Sequence, residues 1–150
     1  MSAEEEAIRA KEWIDEAVKQ GAKILTGGKR NGSILQATVL TDVKPDMKAV
    51  KDEIFAPVVS IIPFNDFNDA VSLVNNSIYG LQAGVYTHSL KNALIAVREI
   101  KVGGVIINDV PTFRVDQMPY GGVKGSGIGR EGLKYAIEEM TDIKMVVFNT

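Results

Sequence analysis

The chain has 150 residues, 45% hydrophobic and 24% charged, with 17 basic against 19 acidic side chains. This size and composition predict one folded domain and exclude a disordered chain. A net charge of -2 provides no field to gather nucleic acid or an anionic membrane. There is no cysteine and a single histidine, His88. Disulfides, thiolate metal sites and a cysteine nucleophile within these residues are therefore excluded, and a Ser/His/Asp triad has little to draw on. The acidic start, MSAEEEAIRA, and the lack of an apolar run of about 20 residues lead us to expect a cytoplasmic protein without a membrane segment.

In chain order, residues 4–20 are predicted to form an amphipathic helix with Ala7, Ile8, Ile14, Ala17 and Val18 on its inner stripe. Glu4 to Glu6 favour its positive N-terminal end and Gly21 its stop. A short strand at 22–25 precedes the turn-rich TGGKRNGS, where GGKR (27–30) reads as a hairpin turn because it lacks the pattern of a phosphate loop. Residues 34–43 are β-rich and end at Pro45. PVVSIIPF (57–64) is a continuous apolar run, as in a strand buried on both faces.

Asp66 is placed to cap a helix with Phe67, Ala70, Val71 and Val74 inward, and Ser89 to cap a second with Leu90, Ala93, Leu94 and Val97 inward. Strands AGVYT (83–87) and VIIN (105–108) follow these two helices, so 57–108 has the grammar of a parallel α/β unit. Residues 109–129 are a long glycine-rich loop, a kind of segment that is usually functional. A last helix is expected over 130–140, with Leu133, Ala136, Ile137 and Met140 on one face. In the closing IKMVVFN, both faces of an extended chain carry apolar groups. Such a strand wants a sheet to join, either within its own chain or in another subunit.

Gly127, Gly129 and Gly132 match the spacing of a dinucleotide-binding fingerprint, but no buried strand precedes them and no acidic residue follows at the required distance. They read instead as turns at positive φ or as close backbone approaches. Two places invite a functional reading. Glu53 and Phe55 stand two apart in EIFAP, so in extended chain a carboxylate and a ring project to one side, either for structure or for a ligand. Phe113, Arg114 and Tyr120 lie in the glycine-rich loop beyond a strand C-terminus, where open α/β sheets bind ligands.

GAKILTGG, DEIFAPVVSI, SIYGLQAGVYT, GGVIIND and MPYGGVKGSGIGREG, in this order and register, resemble the aldehyde dehydrogenase superfamily over almost the whole chain. The resemblance is to the C-terminal part of such an enzyme: the later half of its catalytic domain and the final strand of its oligomerisation arm. It implies an α/β fold, three-layer α/β/α with a mostly parallel sheet, forming a single domain over 1–150 with 141–150 as the oligomerisation strand. The cofactor implied is NAD or NADP, with Glu53 on the ribose hydroxyls next to nicotinamide and Phe55 beside the nicotinamide ring. Phe113 and Tyr120 match positions lining the aldehyde tunnel, and Arg114 a position that varies with substrate, where a guanidinium suits an anionic aldehyde. Glu131 matches a glutamate near the proton exit route. Arg130 and Asp142 match interface-proximal positions of a homo-oligomer, and Val146 lies in the pairing strand.

The sequence departs from the family in carrying Ala56 where a glycine is usual. The family's nucleophilic cysteine, general-base glutamate and dinucleotide-binding domain all belong upstream of Met1. Two readings follow. These residues belong to an NAD(P)-dependent dehydrogenase oxidising an aldehyde to its acid, inactive in isolation; or they form a non-catalytic module that self-associates or complements another subunit.

Overall fold

The computed structural model describes residues 1–150, an α/β chain that divides into two compact units, Met1–Asn65 and Asp66–Thr150. The length leads us to expect a single domain over 1–150, and the division lies within it. Its physical basis is that each unit has its own cluster of buried side chains.

In the first unit, helix α1 (Glu4–Lys19) buries Ala7, Ala10, Ile14 and Ala17 along one stripe. Ile8 and Val18, expected on that stripe, flank it and are exposed. The helix stops where Gly21 takes φ +110, a conformation that suits glycine. Strands β1 (Lys23–Thr26), β2 (Arg30–Asn31), β3 (Ile34–Leu35) and β4 (Thr38–Thr41) follow. β2 and β3 pair as a hairpin, Arg30 with Leu35 and Asn31 with Ile34, so its turn is at Gly32–Ser33 and not at the predicted GGKR.

A short helix α2 (Lys48–Lys51), which no periodicity announced, leads to β5 (Val58–Ser60). The sheet order is β1-β4-β5, antiparallel between β1 and β4 and parallel between β4 and β5. Ile14, Leu40, Met47 and Thr38 are fully buried beneath it. The Thr38 hydroxyl accepts from the Gly28 amide (2.9 Å) and donates to the Gln36 carbonyl (2.8 Å), which makes a buried polar side chain tolerable. β5 is not buried on both faces as expected. Val58 and Ile62 pack on the core, whereas Val59 and Ile61 are exposed, because the first unit supplies only one covering layer.

The second unit begins with α3 (Phe67–Asn75), β6 (Gln82–Val85), α4 (Leu90–Glu99) and β7 (Gly104–Ile107). Asp66 caps α3, its Oδ1 accepting from the amides of Asn68 and Asp69, and Ser89 caps α4 by accepting from Asn92. β6 and β7 pair in parallel from Gln82 opposite Gly104 to Val85 opposite Ile107. They form a two-stranded sheet, so the parallel unit expected over 57–108 is realised for two strands, while β5 belongs to the first sheet.

Val71, Ala96 and Ile100 are the buried centre of this unit. On α4 the stripe Leu90, Leu94 and Val97 faces outward, opposite to expectation. The small Ala96 allows the helix to close on its neighbours through a different face, and nothing in the unit covers the leucines.

Beyond β7 the chain is irregular apart from a 3₁₀ turn (Lys124–Ser126) and α5 (Leu133–Glu139), shorter than the predicted 130–140. Gly127, Gly129 and Gly132 have φ of +127, +80 and +108, so these glycines serve turns. Residues 141–150 form no strand and are exposed throughout. The expected strand is missing from this structure because an extended segment needs a ladder partner for its backbone groups. No helix is long and apolar enough to cross a membrane.

Candidate functional site

The residues singled out from sequence fall into two local groups, one in each unit. In the first unit, residues 52–60 alternate between half-buried and exposed. Ile54, Ala56 and Val58 pack against the core, while Glu53 and Phe55 face solvent, Phe55 at 77% exposure. The backbone at Phe55 is left-handed, φ +46, an uncommon state for a bulky residue. Three fixtures surround it. The Ile54 carbonyl accepts from the Arg9 guanidinium (3.0 Å), the Pro57 carbonyl accepts from the Thr38 amide (2.8 Å), and the Ala56 carbonyl accepts from the Val58 amide (2.7 Å). The Ala56 methyl lies among the partly buried groups of the core, so the residue found in place of the usual glycine is accommodated. An exposed carboxylate and an exposed ring on an anchored turn are chemically suited to vicinal hydroxyls and to a planar heterocycle.

In the second unit, Tyr120 and Glu131 exchange backbone hydrogen bonds, the Tyr120 amide to the Glu131 carbonyl (3.1 Å) and the Glu131 amide to the Tyr120 carbonyl (2.6 Å). This bridge brings their side chains to Arg114. The guanidinium lies over the Tyr120 ring, 4.4 Å from its centroid, and donates to Glu131 Oε2 at 2.9 Å. The pair is exposed, 44% for Arg114 and 65% for Glu131, so its ionic bond is worth well under about 1 kcal/mol and a competing anion can exchange into it. Phe113, at 44% exposure, precedes Arg114, and its carbonyl accepts a long bond from the Gln82 side-chain Nε2 (3.4 Å).

Arg130 closes the same loop from within: its Nη1 donates to the carbonyls of Gly122 (3.0 Å) and Gly129 (2.7 Å), and its amide donates to Glu139 (2.9 Å). Close backbone passage helps here, since a side chain at Gly103 would collide with the Gly121 carbonyl. Asp142 and Val146 stand in the exposed C-terminal segment, Val146 at 63%. No cluster of His, Asp or Glu could hold a metal ion. Sequence reasoning missed Arg9, 45 residues from the carbonyl it holds, and it did not pair Arg114 with Glu131; neither contact has a local sequence signal.

With this geometry in view, the comparisons with known proteins are consistent. The aldehyde dehydrogenase family model matches residues 1–146, and the chain belongs to that family. Among relatives, 3-sulfolactaldehyde dehydrogenase of Priestia aryabhattai is 54% identical over 144 residues, covering 96% of this chain and 30% of its own. The structure of aldehyde dehydrogenase 21 from Physcomitrella patens, in complex with the reaction product succinate, superposes with TM-score 0.91 at 48% identity, over 93% of this chain and 29% of that one. Glyceraldehyde-3-phosphate dehydrogenase GapN from Methanocaldococcus jannaschii, complexed with NADP, gives 0.89 at 41% identity, over 95% and 31%. The chain therefore spans about three tenths of the length of the relatives it matches.

Proposed function

We propose that these residues serve an NAD(P)-dependent aldehyde dehydrogenase acting on an aldehyde with an anionic tail, and that they provide the nicotinamide-ribose contact and part of the substrate wall. The single observation that carries the reading is Arg114: a half-exposed guanidinium seated over the Tyr120 ring and lightly engaged by Glu131. Its planar fork matches a carboxylate or sulfonate, and the contacts with Tyr120 and Glu131 hold the guanidinium in place before any ligand arrives. Three similar proteins are named for a sulfonated aldehyde, a bound succinate and a phosphorylated aldehyde. Others are named for lactaldehyde, which is uncharged, and betaine aldehyde, which is a cation, so the reading rests on Arg114 and not on those names. Phe113 and Tyr120 would enclose the carbon chain, and Glu131 would keep Arg114 oriented.

Glu53 would accept from the ribose hydroxyls, and Phe55 would pack against the nicotinamide. When bound, NAD or NADP supplies the hydride acceptor. The thiol that would attack the aldehyde is not among these 150 residues, so the isolated chain is expected to produce no NAD(P)H. Cytoplasmic location and homo-oligomeric assembly complete the proposal.

The exposed apolar residues 143–148 favour a second, compatible reading: a self-associating module in which Val146 and its neighbours pair with another copy. The test of the main reading is a titration of the chain with succinate, followed by side-chain NMR of Arg114. Succinate is expected to shift Arg114, Phe113 and Tyr120, while uncharged butane-1,4-diol does not and Arg114→Gln abolishes the response. Equal responses to the acid and the diol would remove the anion-binding role.

A further inference from the structure

We propose that Arg9, on α1, is the positioning residue for the Glu53–Phe55 pair: it fixes the backbone between them and so sets the direction of the carboxylate and the ring together. The inference rests on the cofactor reading of those two residues. Arg9 Nη2 donates to the Ile54 carbonyl at 3.0 Å. That carbonyl lies between Glu53 and Phe55, directly ahead of the left-handed φ of +46 at Phe55.

The guanidinium is itself held on two further sides. Nε and Nη2 both donate to Glu6 Oε2, at 2.9 and 2.7 Å, and the central carbon Cζ lies over the Trp13 ring, 4.9 Å from its centroid. Glu6, Arg9 and Trp13 occupy one face of the same helix at spacings of three and four, so the cation is set by a rigid element before it meets the turn. The Arg9 side chain is 31% exposed, which leaves the contact partly shielded from water. Side chains on either side of Phe55, Ile54 and Ala56, pack on the core to which α1 contributes Ala10, Ile14 and Ala17. Apolar packing therefore places the turn, and Arg9 supplies the directional bond on the N-terminal side of the strained residue, with the Ala56 and Pro57 carbonyls held beyond it. A bulky side chain leaves the left-handed region unless its surroundings over-determine it.

The test uses the whole 150-residue chain and two readouts: backbone ¹⁵N relaxation at Ile54, Phe55 and Ala56, and titration with nicotinamide mononucleotide followed by the Glu53 and Phe55 amide shifts. In the parent chain the three amides are expected to be ordered, with S² near about 0.85. In Arg9→Gln they are expected below about 0.6 while α1 and β4 are unchanged, and the mononucleotide should bind at least tenfold more weakly. Arg9→Lys, which keeps a cation but loses the fork, should fall between. Glu6→Gln leaves the bond to Ile54 and frees the guanidinium on one side, giving a loss of about threefold or less, and it guards against a misfolded Arg9→Gln.

Unchanged order at Ile54–Ala56 in Arg9→Gln overturns the inference whatever the ligand does. Lost order with unchanged affinity overturns the coupling between the turn and the ligand. A parent chain whose Glu53 and Phe55 ignore the mononucleotide overturns the cofactor reading instead, and the relaxation comparison still decides whether Arg9 sets the turn.

Discussion

The two units of this chain are unlike in how they keep their apolar residues from water. Met1–Asn65 closes α1, α2 and a three-stranded sheet around Ile14, Leu40 and Met47, each no more than 1% exposed. Asp66–Thr150 is longer but has only Val71, Ala96 and Ile100 as its buried centre. It leaves Leu90, Leu94 and Val97 on α4, Leu133 and Met140 around α5, and nearly all of 143–148 open. Both units have comparable secondary structure, so hydrogen-bonded elements alone do not make a self-sufficient fold. What differs is how large a buried centre each unit builds, since the first also leaves Val59 and Ile61 open on one side of β5. Exposed apolar surface of this extent marks interfaces. The second unit is therefore the part of the chain with more apolar surface open to water, and it also bears Arg114.

The largest expected effect lies in the first unit. Leu40→Ala removes a fully buried side chain and should cost about 2–5 kcal/mol, read from urea denaturation by the fluorescence of Trp13. Ile100→Ala in the second unit should sit at the low end of that range, because its small cluster already has open edges. Equal losses would erase the distinction between the units. Assembly sharpens the same contrast: light scattering of the parent chain at tens of micromolar should show a dimer or larger, and Val146→Lys should move it toward the 16.3 kDa monomer. A monomeric parent chain would mean that 143–148 tolerates water.

A smaller effect is expected at the entry to the second unit. Asp66→Ala removes both cap bonds to α3 and should cost about 1 kcal/mol, visible as faster amide exchange in the first turn of α3 with β4 unaffected.

The smallest concerns the Lys23–Asp42 pair, 2.8 Å apart on exposed side chains. The hydrogen bond to Asp42, and then its charge, raise the Lys23 pKa. A raised lysine pKa contributes stability that is fully present below the unfolded value of about 10.4 and is lost as pH rises through the folded one. Thermal melts of the parent and Lys23→Met should therefore differ little at pH 8 and converge as pH rises through the raised pKa.

Local chemistry made several features legible in the sequence. Asp66 and Ser89 cap the helices assigned to them, Gly21 ends the first helix, and the glycines at 127, 129 and 132 serve turns rather than a dinucleotide loop. Glu53 and Phe55 also share an exposed side, although through a left-handed turn and not through extended chain. Periodicity was a weaker guide, because it marks an apolar face without saying where its cover comes from. Leu90, Leu94 and Val97 have the spacing of an inward stripe and face outward, and residues 143–148 have strand composition without a strand. The contacts that orient the candidate site were beyond reach for a different reason. Arg9 to Ile54 and Arg114 to Glu131 join residues 45 and 17 apart, and only the folded backbone brings them together.

Amide hydrogen exchange of the parent chain, resolved by residue, tests the contrast between the units most directly. Slow exchange at Val39 and Leu40 in β4, with exchange at Ala83 and Gly84 in β6 and at Val105 and Ile106 in β7 faster by at least tenfold, is the predicted result. Equal protection in the two sheets, in a chain shown to be monomeric, would contradict it: the second unit would then be as self-sufficient as the first.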